Sequence, residues 1–286
     1  MSRLIVLAVL LGAVAPAYPA TWHVAKDGSG DFTVIQDAVD AAASGDTIAI
    51  GPGRYDEFTN GQWGTWNLAA VEDKGLTFVG AGADLTILGP AEYDDQSAVC
   101  IDVRAEGAVT RIRGFAFENV RLFGVVLSYS GRLEVDNCVF RNSDIGIFAE
   151  MGDGGWIRNC QFVDLFNSPS DHGINLYEPS VGVMIEQCTF ERCAQGVGAY
   201  WSGCTDITVR DCQISDGVVG VGFVSGASGS VIDCTVRGMV NWGIAASGGG
   251  SMVVEGNVID QTGATGLVLW HRFRFKPLSA QQPYHG

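Results

Sequence analysis

Positive charge is scarce in this chain, which has 17 Lys and Arg residues against 32 Asp and Glu residues and a net charge of −15. Nucleic acids and anionic lipid surfaces are bound through clustered cations, so the composition argues against both as partners. A neutral ligand, or one bridged through a cation, fits this surface better. The alternative is an acidic surface that only keeps the protein soluble.

Long apolar runs are equally scarce. One extends from Leu4 to Val14, and it is shorter than the ~20 residues that a membrane-spanning helix needs. Arg3 precedes the run, and small residues follow it up to Ala17 and Ala20, which is typical of a secretory signal peptide. We therefore expect residues 1–20 to be removed after Ala17 or Ala20. The mature chain is then secreted, periplasmic or at the cell surface, with no membrane span.

A repeat of about 22 to 24 residues extends from Ile112 to Trp270, which is the mark of a solenoid. Its positions form columns of shared character. The first apolar column consists of Ile112, Val135, Ile157, Ile185, Val209, Val231 and Val253, and the second of Phe117, Phe140, Phe162, Phe190, Ile214, Val236 and Val258. Between them lie Phe115, Cys138, Cys160, Cys188, Cys212, Cys234 and Gly256. A later column consists of Gly124, Gly146, Gly173, Gly196, Gly220, Gly243 and Gly266.

The runs after these glycines alternate apolar and other residues with period two, which indicates short strands rather than helices. A repeat of this length returns each strand to its counterpart one turn earlier, at the ~4.8 Å spacing of parallel strands. The sequence therefore predicts an all-β, single-stranded right-handed parallel β-helix, its hand following from the general crossover rule. Because a solenoid is one domain at any length, we expect a single domain over residues 21–276 and a tail over 277–286.

The chain has eight cysteines, and five of them fall in the column between the two apolar columns. There a cysteine serves as a small apolar residue, so we expect a stack of internal thiols rather than disulfides. Cys193 and Cys204 lie outside that column, and a local bridge between them stays open.

Both ends of the solenoid need covering. Ile35, Ala38, Val39 and Ala42 form one apolar face within Val34 to Ala43, which predicts an amphipathic helix. We expect Thr33 or Asp31 as its N-cap, and the helix as a cap on the open first coil. At the other end, Phe273 and Phe275 are candidates to cover the last coil.

The opening of the mature chain resembles pectin methylesterases and other proteins of the pectin-lyase fold. The resemblance rests on the segments VAKDGSGDFT at 24–33, GDTI at 45–48, G-x-Y-x-E at 53–57 and LTFVGAG at 76–82. It implies this fold, export and a carbohydrate partner. The catalytic QDTL, DFIFG and LGRPW motifs of pectin methylesterases are absent, as are the WIDH and RxPxxR motifs of pectate lyases. The resemblance therefore transfers no catalytic residue.

The middle coils hold the candidate site. The longest repeat step contains Asp171 and His172, and insertions in solenoids often lie on the binding face. Asp171, His172 and Glu150 are the candidate catalytic residues for acid-base chemistry. The candidate substrate-binding residues share outward positions next to them: Asn175, Tyr177, Glu178, Tyr200 and Trp201. The alternative is that the tyrosines reflect only strand propensity and that Asp171 and His172 are structural loop residues.

Two weaker candidates lie nearer the N-terminus. Trp63 and Trp66 have the spacing to stack on sugar rings, or to fold over the flank of the solenoid. Asp94 and Asp95 are a candidate calcium site, although EF-hand spacing is absent. The sequence assigns no other metal or cofactor, and it indicates no oligomeric state.

Two functions remain open. The first is an exported scaffold that binds a glycan or a protein at the cell surface or in the periplasm. The second is a polysaccharide-active enzyme, a lyase, epimerase, hydrolase or esterase. The absence of the known catalytic motifs favours the scaffold.

Overall fold

The computed structural model describes residues 18–60, 66–93 and 98–270. The body of the predicted signal peptide, Trp63, the pair Asp94 and Asp95, and the candidate end cover Phe273 and Phe275 lie outside these ranges. Within them, no helix is long and apolar enough to cross a bilayer.

The chain winds into coils whose strands stack in parallel to form three sheets. Sheet I consists of Thr21–Val24, Thr47–Ile50, Thr77–Gly80, Val109–Arg113, the end of Phe123–Asp136, Trp156–Arg158, Met184–Glu186, Ile207–Arg210, Gly229–Ile232 and Met252–Glu255. Sheet II consists of Gly53–Tyr55, Thr86–Leu88, Ala116–Glu118, Val139–Arg141, Gln161–Val163, Thr189–Glu191, Gln213–Ser215, Thr235–Arg237 and Val258–Asp260.

Sheet III consists of Trp66–Glu72, Val99–Arg104, the start of Phe123–Asp136, Ile145–Met151, His172–Leu176, Gln195–Tyr200, Val219–Val224, Trp242–Ser247 and Thr265–Trp270. The short strand Thr59–Asn60 pairs antiparallel with the first of these. Ser180–Val181 and Cys204–Thr205 form a small parallel pair of their own. The parallel β-helix expected from the repeat is confirmed.

The apolar columns become internal stacks. Val135 lies beside both Ile112 and Ile157 in sheet I. In sheet II the rings of consecutive coils are parallel: the Phe117 and Phe140 centroids are 4.6 Å apart, those of Phe140 and Phe162 4.8 Å, and those of Phe162 and Phe190 4.7 Å. These distances match the spacing of the strands that carry the rings. One repeat length therefore serves the backbone hydrogen bonds and the ring stacking at once.

The thiol stack is confirmed as well. Cys138, Cys160, Cys188, Cys212 and Cys234 are free and at most 1% exposed. Burial, together with contacts to the thiols above and below it, raises the pKa of Cys160 well above its ordinary value. Cys193 and Cys204 are also free, and their sulfurs donate to the carbonyls of Phe162 and Tyr200 instead of forming a bridge.

In the last coil, the alignment that placed Val253 below Val231 is wrong by one residue. The structure pairs Val231 with Val254, and in sheet II Val236 pairs with Ile259 instead of Val258. Two consecutive valines fit either register, so apolar pattern alone could not decide. The turn after the strand sets the register. Asp233 and Gly256 both have a left-handed backbone, with φ of 52° and 67°, so they occupy the same turn position in consecutive coils.

The N-terminal helix comprises Ile35–Ala41, and its apolar face is buried against the first coil. The predicted N-cap is wrong: Val34 occupies that position without a side-chain cap bond, while the Asp31 carboxylate accepts the His23 backbone N–H. The Gln36 side-chain amide both accepts the Ala70 N–H at 2.8 Å and donates to the Ala70 carbonyl at 3.2 Å. The helix thus satisfies the backbone N–H and carbonyl of Ala70, as a neighbouring strand would at that residue, and the predicted cap is confirmed.

Two columns of residues with left-handed backbone, which the sequence did not reveal, turn the chain between the sheets. Between sheets I and II they are Asn137, Asn159, Gln187, Asp211 and Asp233, and between sheets II and III they are Asn119, Asn142, Asp164, Arg192 and Asp216. Asn and Asp visit this region more readily than most L-residues. Successive coils are also bonded through these turns, as where the Asn142 amide donates to Asn119 Oδ1 at 2.6 Å.

The phenylalanine stack gives a stability prediction. Phe162 is fully buried between two rings, whereas Phe166, four residues later, is 48% exposed. Phe162→Ala is expected to lower the free energy of unfolding by about 3 to 5 kcal/mol, because it leaves a cavity inside the stack. Phe166→Ala, the matched control, is expected to cost less than about 0.5 kcal/mol. Denaturant unfolding measures both, and equal losses would contradict the internal stack.

Candidate functional site

The predicted site lies on the outer face of sheet III. Phe148, Asn175 and Gly198 are neighbours in one outward column, and Ile145, His172 and Gln195 are neighbours in another. Tyr177 and Tyr200 directly follow the paired residues Leu176 and Ala199. The insertion at 164–171 enters this sheet at His172, as the repeat spacing predicted.

The side chains of His172 and Tyr200, which lie on adjacent coils, contact each other. The imidazole is only 4% exposed, and its Nε2 lies 2.7 Å from the Tyr200 hydroxyl. Its Nδ1 lies 2.6 Å from the Ser170 carbonyl oxygen. The two rings are nearly perpendicular, with centroids 5.6 Å apart. The sequence named both residues but placed them in separate roles.

The hydrogen-bond partners fix the tautomer of His172. The Ser170 carbonyl can only accept, so Nδ1 carries a proton. Burial lowers the pKa of His172 to about 4, so Nε2 is bare at neutral pH and accepts the Tyr200 O–H. The Gln195 amide lies 3.1 Å from the same hydroxyl. The Tyr200 hydroxyl has one proton, which it donates to His172 Nε2, so its oxygen can only accept from Gln195. Rotating the Gln195 amide by 180° places its NH₂ group, rather than its oxygen, against the hydroxyl and lets it donate.

Gly198 makes room for this pair. A Cβ atom at this position would lie 2.8 Å from His172 Cδ2 and 2.7 Å from Tyr200 Cε2. No real side chain tolerates such contacts, so the two rings occupy the space that the glycine leaves. Burial also raises the pKa of Tyr200, and the phenol is therefore protonated at neutral pH.

Asp171 and Glu150 bond to backbone rather than to His172. The Asp171 carboxylate is 5% exposed and accepts the Ser168 N–H at 2.5 Å, and burial raises its pKa. The Glu150 carboxylate accepts the Tyr129 N–H at 3.2 Å. Both residues shape turns beside the pair formed by His172 and Tyr200. Their catalytic roles remain predictions.

Asn175 presents an unsatisfied acceptor on this face. Its Oδ1 is buried and has no hydrogen-bond partner among the described residues. Buried polar atoms are nearly always paired, so this acceptor, which is closed to solvent in the structure, would gain a hydrogen bond from a ligand hydroxyl once the Asn175 side chain turned outward. Glu178, by contrast, is engaged, since its carboxylate accepts the Gly203 N–H at 3.0 Å.

Three aromatic side chains line the edge where the chain leaves sheet III. Tyr177 is 38% exposed and Trp201 is 46% exposed, and both were predicted to bind substrate. Tyr129, which the sequence analysis missed, is 56% exposed. It occupies the position in its repeat that Trp201 occupies in a later one, so extending the columns by one residue would have found it. We call Tyr129, Tyr177 and Trp201 the aromatic edge.

The insertion is fastened to the coils before it. Asp144 Oδ1 accepts the Tyr93 hydroxyl and the Asn167 amide, each at 2.9 Å. Burial and the bond to Asp144 raise the pKa of Tyr93 to about 12. The bond from Asn167 fixes the loop that leads into His172.

Two other candidates can be placed only in part. Trp66 begins a strand of sheet III and is 41% exposed, whereas its proposed stacking partner Trp63 lies outside the described residues, as do Asp94 and Asp95. Within the described residues, no three His, Cys, Asp or Glu side chains are grouped so as to hold a metal ion.

Comparison with known proteins identifies the class. A family model described as a right handed beta helix region matches residues 92–229 and 166–272, more than half of the chain. The chain belongs to this family, and the right-handed form of the predicted β-helix is thereby confirmed. A search of curated protein sequences found no match.

Among solved structures, the fold is similar to an alginate lyase from Paenibacillus sp. str. FPU-7, with a TM-score of 0.61 and 13% identity, over 89% of this chain and 99% of that one. It is similar to pectin methylesterase from carrot, with a TM-score of 0.53 and 16% identity, over 94% and 90%. It is also similar to the pectate lyase Pel9A, with a TM-score of 0.52 and 14% identity, over 93% of this chain and 79% of that one. These likenesses confirm the pectin-lyase-like fold.

The buried imidazole predicts a pH dependence of stability. The folded pKa of His172, about 4, lies below its ordinary value of 6.5. As pH falls below 6.5, His172 is protonated in the unfolded chain but stays neutral in the folded one. The free energy of unfolding therefore decreases until pH reaches about 4, where the folded chain is protonated too. At pH 5 this loss amounts to about 2 kcal/mol relative to pH 7.

Denaturant unfolding at pH 7 and pH 5 tests this prediction through the change between the two pH values, whatever the stability at pH 7. His172→Asn is expected to lose about 2 kcal/mol less than the wild type on acidification. The control His23→Asn replaces an exposed histidine and is expected to keep the wild-type loss. An unchanged loss in His172→Asn would contradict the buried neutral imidazole.

Proposed function

We propose that this protein is an exported scaffold that binds a polysaccharide along the outer face of sheet III. The observation that carries the proposal is the aromatic edge, three exposed rings within about four consecutive coils, or roughly 14 Å. Sugar rings pack their C–H faces on such side chains, whose burial supplies most of the energy of a contact. A chain-like ligand laid across the coils would touch all three rings.

The polar groups beside the edge fit the same ligand. Turned outward, the unpaired Oδ1 of Asn175 would offer an acceptor to a sugar hydroxyl. Gly222 is the neighbour of Gly198 in the outward column, and it leaves the backbone open to close approach. The proteins of similar fold are named as a lyase of alginate, a lyase of pectate and an esterase of pectin, which supports a polysaccharide as the partner class.

A second function is favoured by the contact between Tyr200 and His172. A phenol held 2.7 Å from a bare imidazole nitrogen can pass its proton to that nitrogen, and the phenolate can then take a proton from a substrate. An enzyme of the lyase, epimerase, hydrolase or esterase type would use this pair. The raised pKa of Tyr200 and the lowered pKa of His172 oppose such a transfer, so the scaffold is the first proposal.

Binding to a panel of neutral and acidic polysaccharides tests the scaffold. The double variant Tyr177→Ala with Trp201→Ala is expected to bind at least tenfold more weakly, because two stacking contacts of about 1 kcal/mol each are lost. The matched control, Leu85→Ala with Val240→Ala, truncates two exposed apolar residues elsewhere and is expected to bind as the wild type does. Equal binding by all three proteins would refute the proposed face.

The same panel decides between the two functions. Polysaccharide that is bound and recovered unchanged supports the scaffold. Product formation that disappears in Tyr200→Phe, while binding is retained, would replace the scaffold by the enzyme, because that variant removes only the hydroxyl that faces His172.

A further inference from the structure

The outer face of sheet I carries an ordered column of charges. Register places Arg113, Asp136, Arg158, Glu186 and Arg210 side by side on consecutive coils. Opposite charges therefore alternate along the column.

The ion pairs of this column leave one arginine, Arg113, without a partner among the described residues. Asp136 pairs with Arg158 at 3.4 Å and also accepts the Asn159 amide at 2.9 Å. Glu186 pairs with Arg210 at 3.4 Å. Both acids thus bond towards the C-terminal side. Arg113 is exposed and has neither an ion pair nor a side-chain hydrogen bond among the described residues.

The adjacent column contributes a groove. Glu134, only 8% exposed, is neutralised by Arg111 at 2.7 Å and by Arg132 at 3.3 Å. On the next coil the Arg158 guanidinium lies 4.1 Å from the centroid of the Trp156 ring. Arg111, Arg113, Trp156 and Arg158 together line a cavity of about 360 Å³, which is within the range of small-ligand sites.

The charge of this groove runs against that of the whole chain. Three arginines, Arg111, Arg113 and Arg158, face two acids, Glu134 and Asp136, both of which already have cationic partners. The local balance is therefore positive in a protein whose net charge is −15. Arg113, the unpaired arginine, and Trp156 line the same cavity, so the groove offers a guanidinium fork for an anionic group and an indole edge for a ring.

We infer that this groove is a second binding site, separate from sheet III, for a sugar ring that carries a carboxylate or a sulfate. Arg113 binds the anionic group, and the ring packs against Trp156. The choice of a sugar rests on the proposed polysaccharide binding, whereas the anion contact rests on Arg113 alone. A carboxylate and a sulfate share this chemistry, and the experiment separates them.

The test uses NMR titration of the protein with D-glucuronate, D-glucose 6-sulfate, D-glucose and acetate. At least one of the two anionic sugars is expected to bind, and it identifies which anionic group the groove takes. Glucose lacks the anion and acetate lacks the ring, so both are expected to bind at least fivefold more weakly. Acetate binding as tight as that of both anionic sugars would reduce the site to non-specific anion binding and overturn the inference.

Variants locate the site. Arg113→Gln is expected to weaken binding of the anionic sugar at least fivefold without changing the midpoint of denaturation, because no ion pair among the described residues is lost. Arg237→Gln removes another exposed cation, on sheet II, and is expected to have no effect. Equal weakening in both variants would indicate net charge rather than a site, and no weakening in Arg113→Gln would contradict it.

The two proposals fail separately. Tyr177→Ala with Trp201→Ala changes sheet III only, so it is expected to leave binding of the anionic sugar intact. Loss of that binding in the double variant would place the anion on sheet III and overturn the inference. Intact binding of the anionic sugar by a protein that binds no polysaccharide would refute the proposed function alone.

Discussion

Stacking of each coil on the one before it, at the spacing of hydrogen-bonded strands, is the constraint on which the structure depends. The stacked rings of Phe117, Phe140, Phe162 and Phe190 lie 4.6 to 4.8 Å apart, the distance that parallel strands impose. Left-handed turns such as Asn142 and Asp164 close every coil at the same place. Equal positions in consecutive repeats thus become neighbours, both inside the solenoid and on its surface.

Much of this fold could be predicted from the sequence, because inward columns must be apolar in every coil and therefore give a periodic apolar pattern. The thiol stack was predicted on the same ground, and the capping helix was predicted from its apolar face. This pattern does not fix the strand register where two adjacent residues are both apolar, as with Val253 and Val254. It fails also at the helix N-cap, where the Asp31 carboxylate bonds to the His23 amide and not to the helix.

The candidate site was predictable in place but not in its contacts. Insertion length and outward alternation predicted that these residues share one outer face, and the structure places them together on sheet III. They could not show that Asp171 turns to the Ser168 amide while its neighbour His172 turns to Tyr200, 28 residues away. Side-chain direction at a loop end depends on which partner fills the space, here left free by Gly198. A surface made of equal positions suits a repeating ligand, which supports the proposed binding of a polysaccharide.

Crosslinking between coils tests the central claim, that equal repeat positions are neighbours, most directly. Thr208 and Ser230 lie opposite each other in sheet I, with hydroxyl oxygens 3.2 Å apart. Under mild oxidation Thr208→Cys with Ser230→Cys is expected to form a disulfide rapidly, seen as a crosslinked peptide by mass spectrometry. Thr208→Cys with Ile232→Cys, a diagonal pair roughly 7 to 8 Å apart, is expected not to. The reverse preference would contradict the register and the surface built upon it.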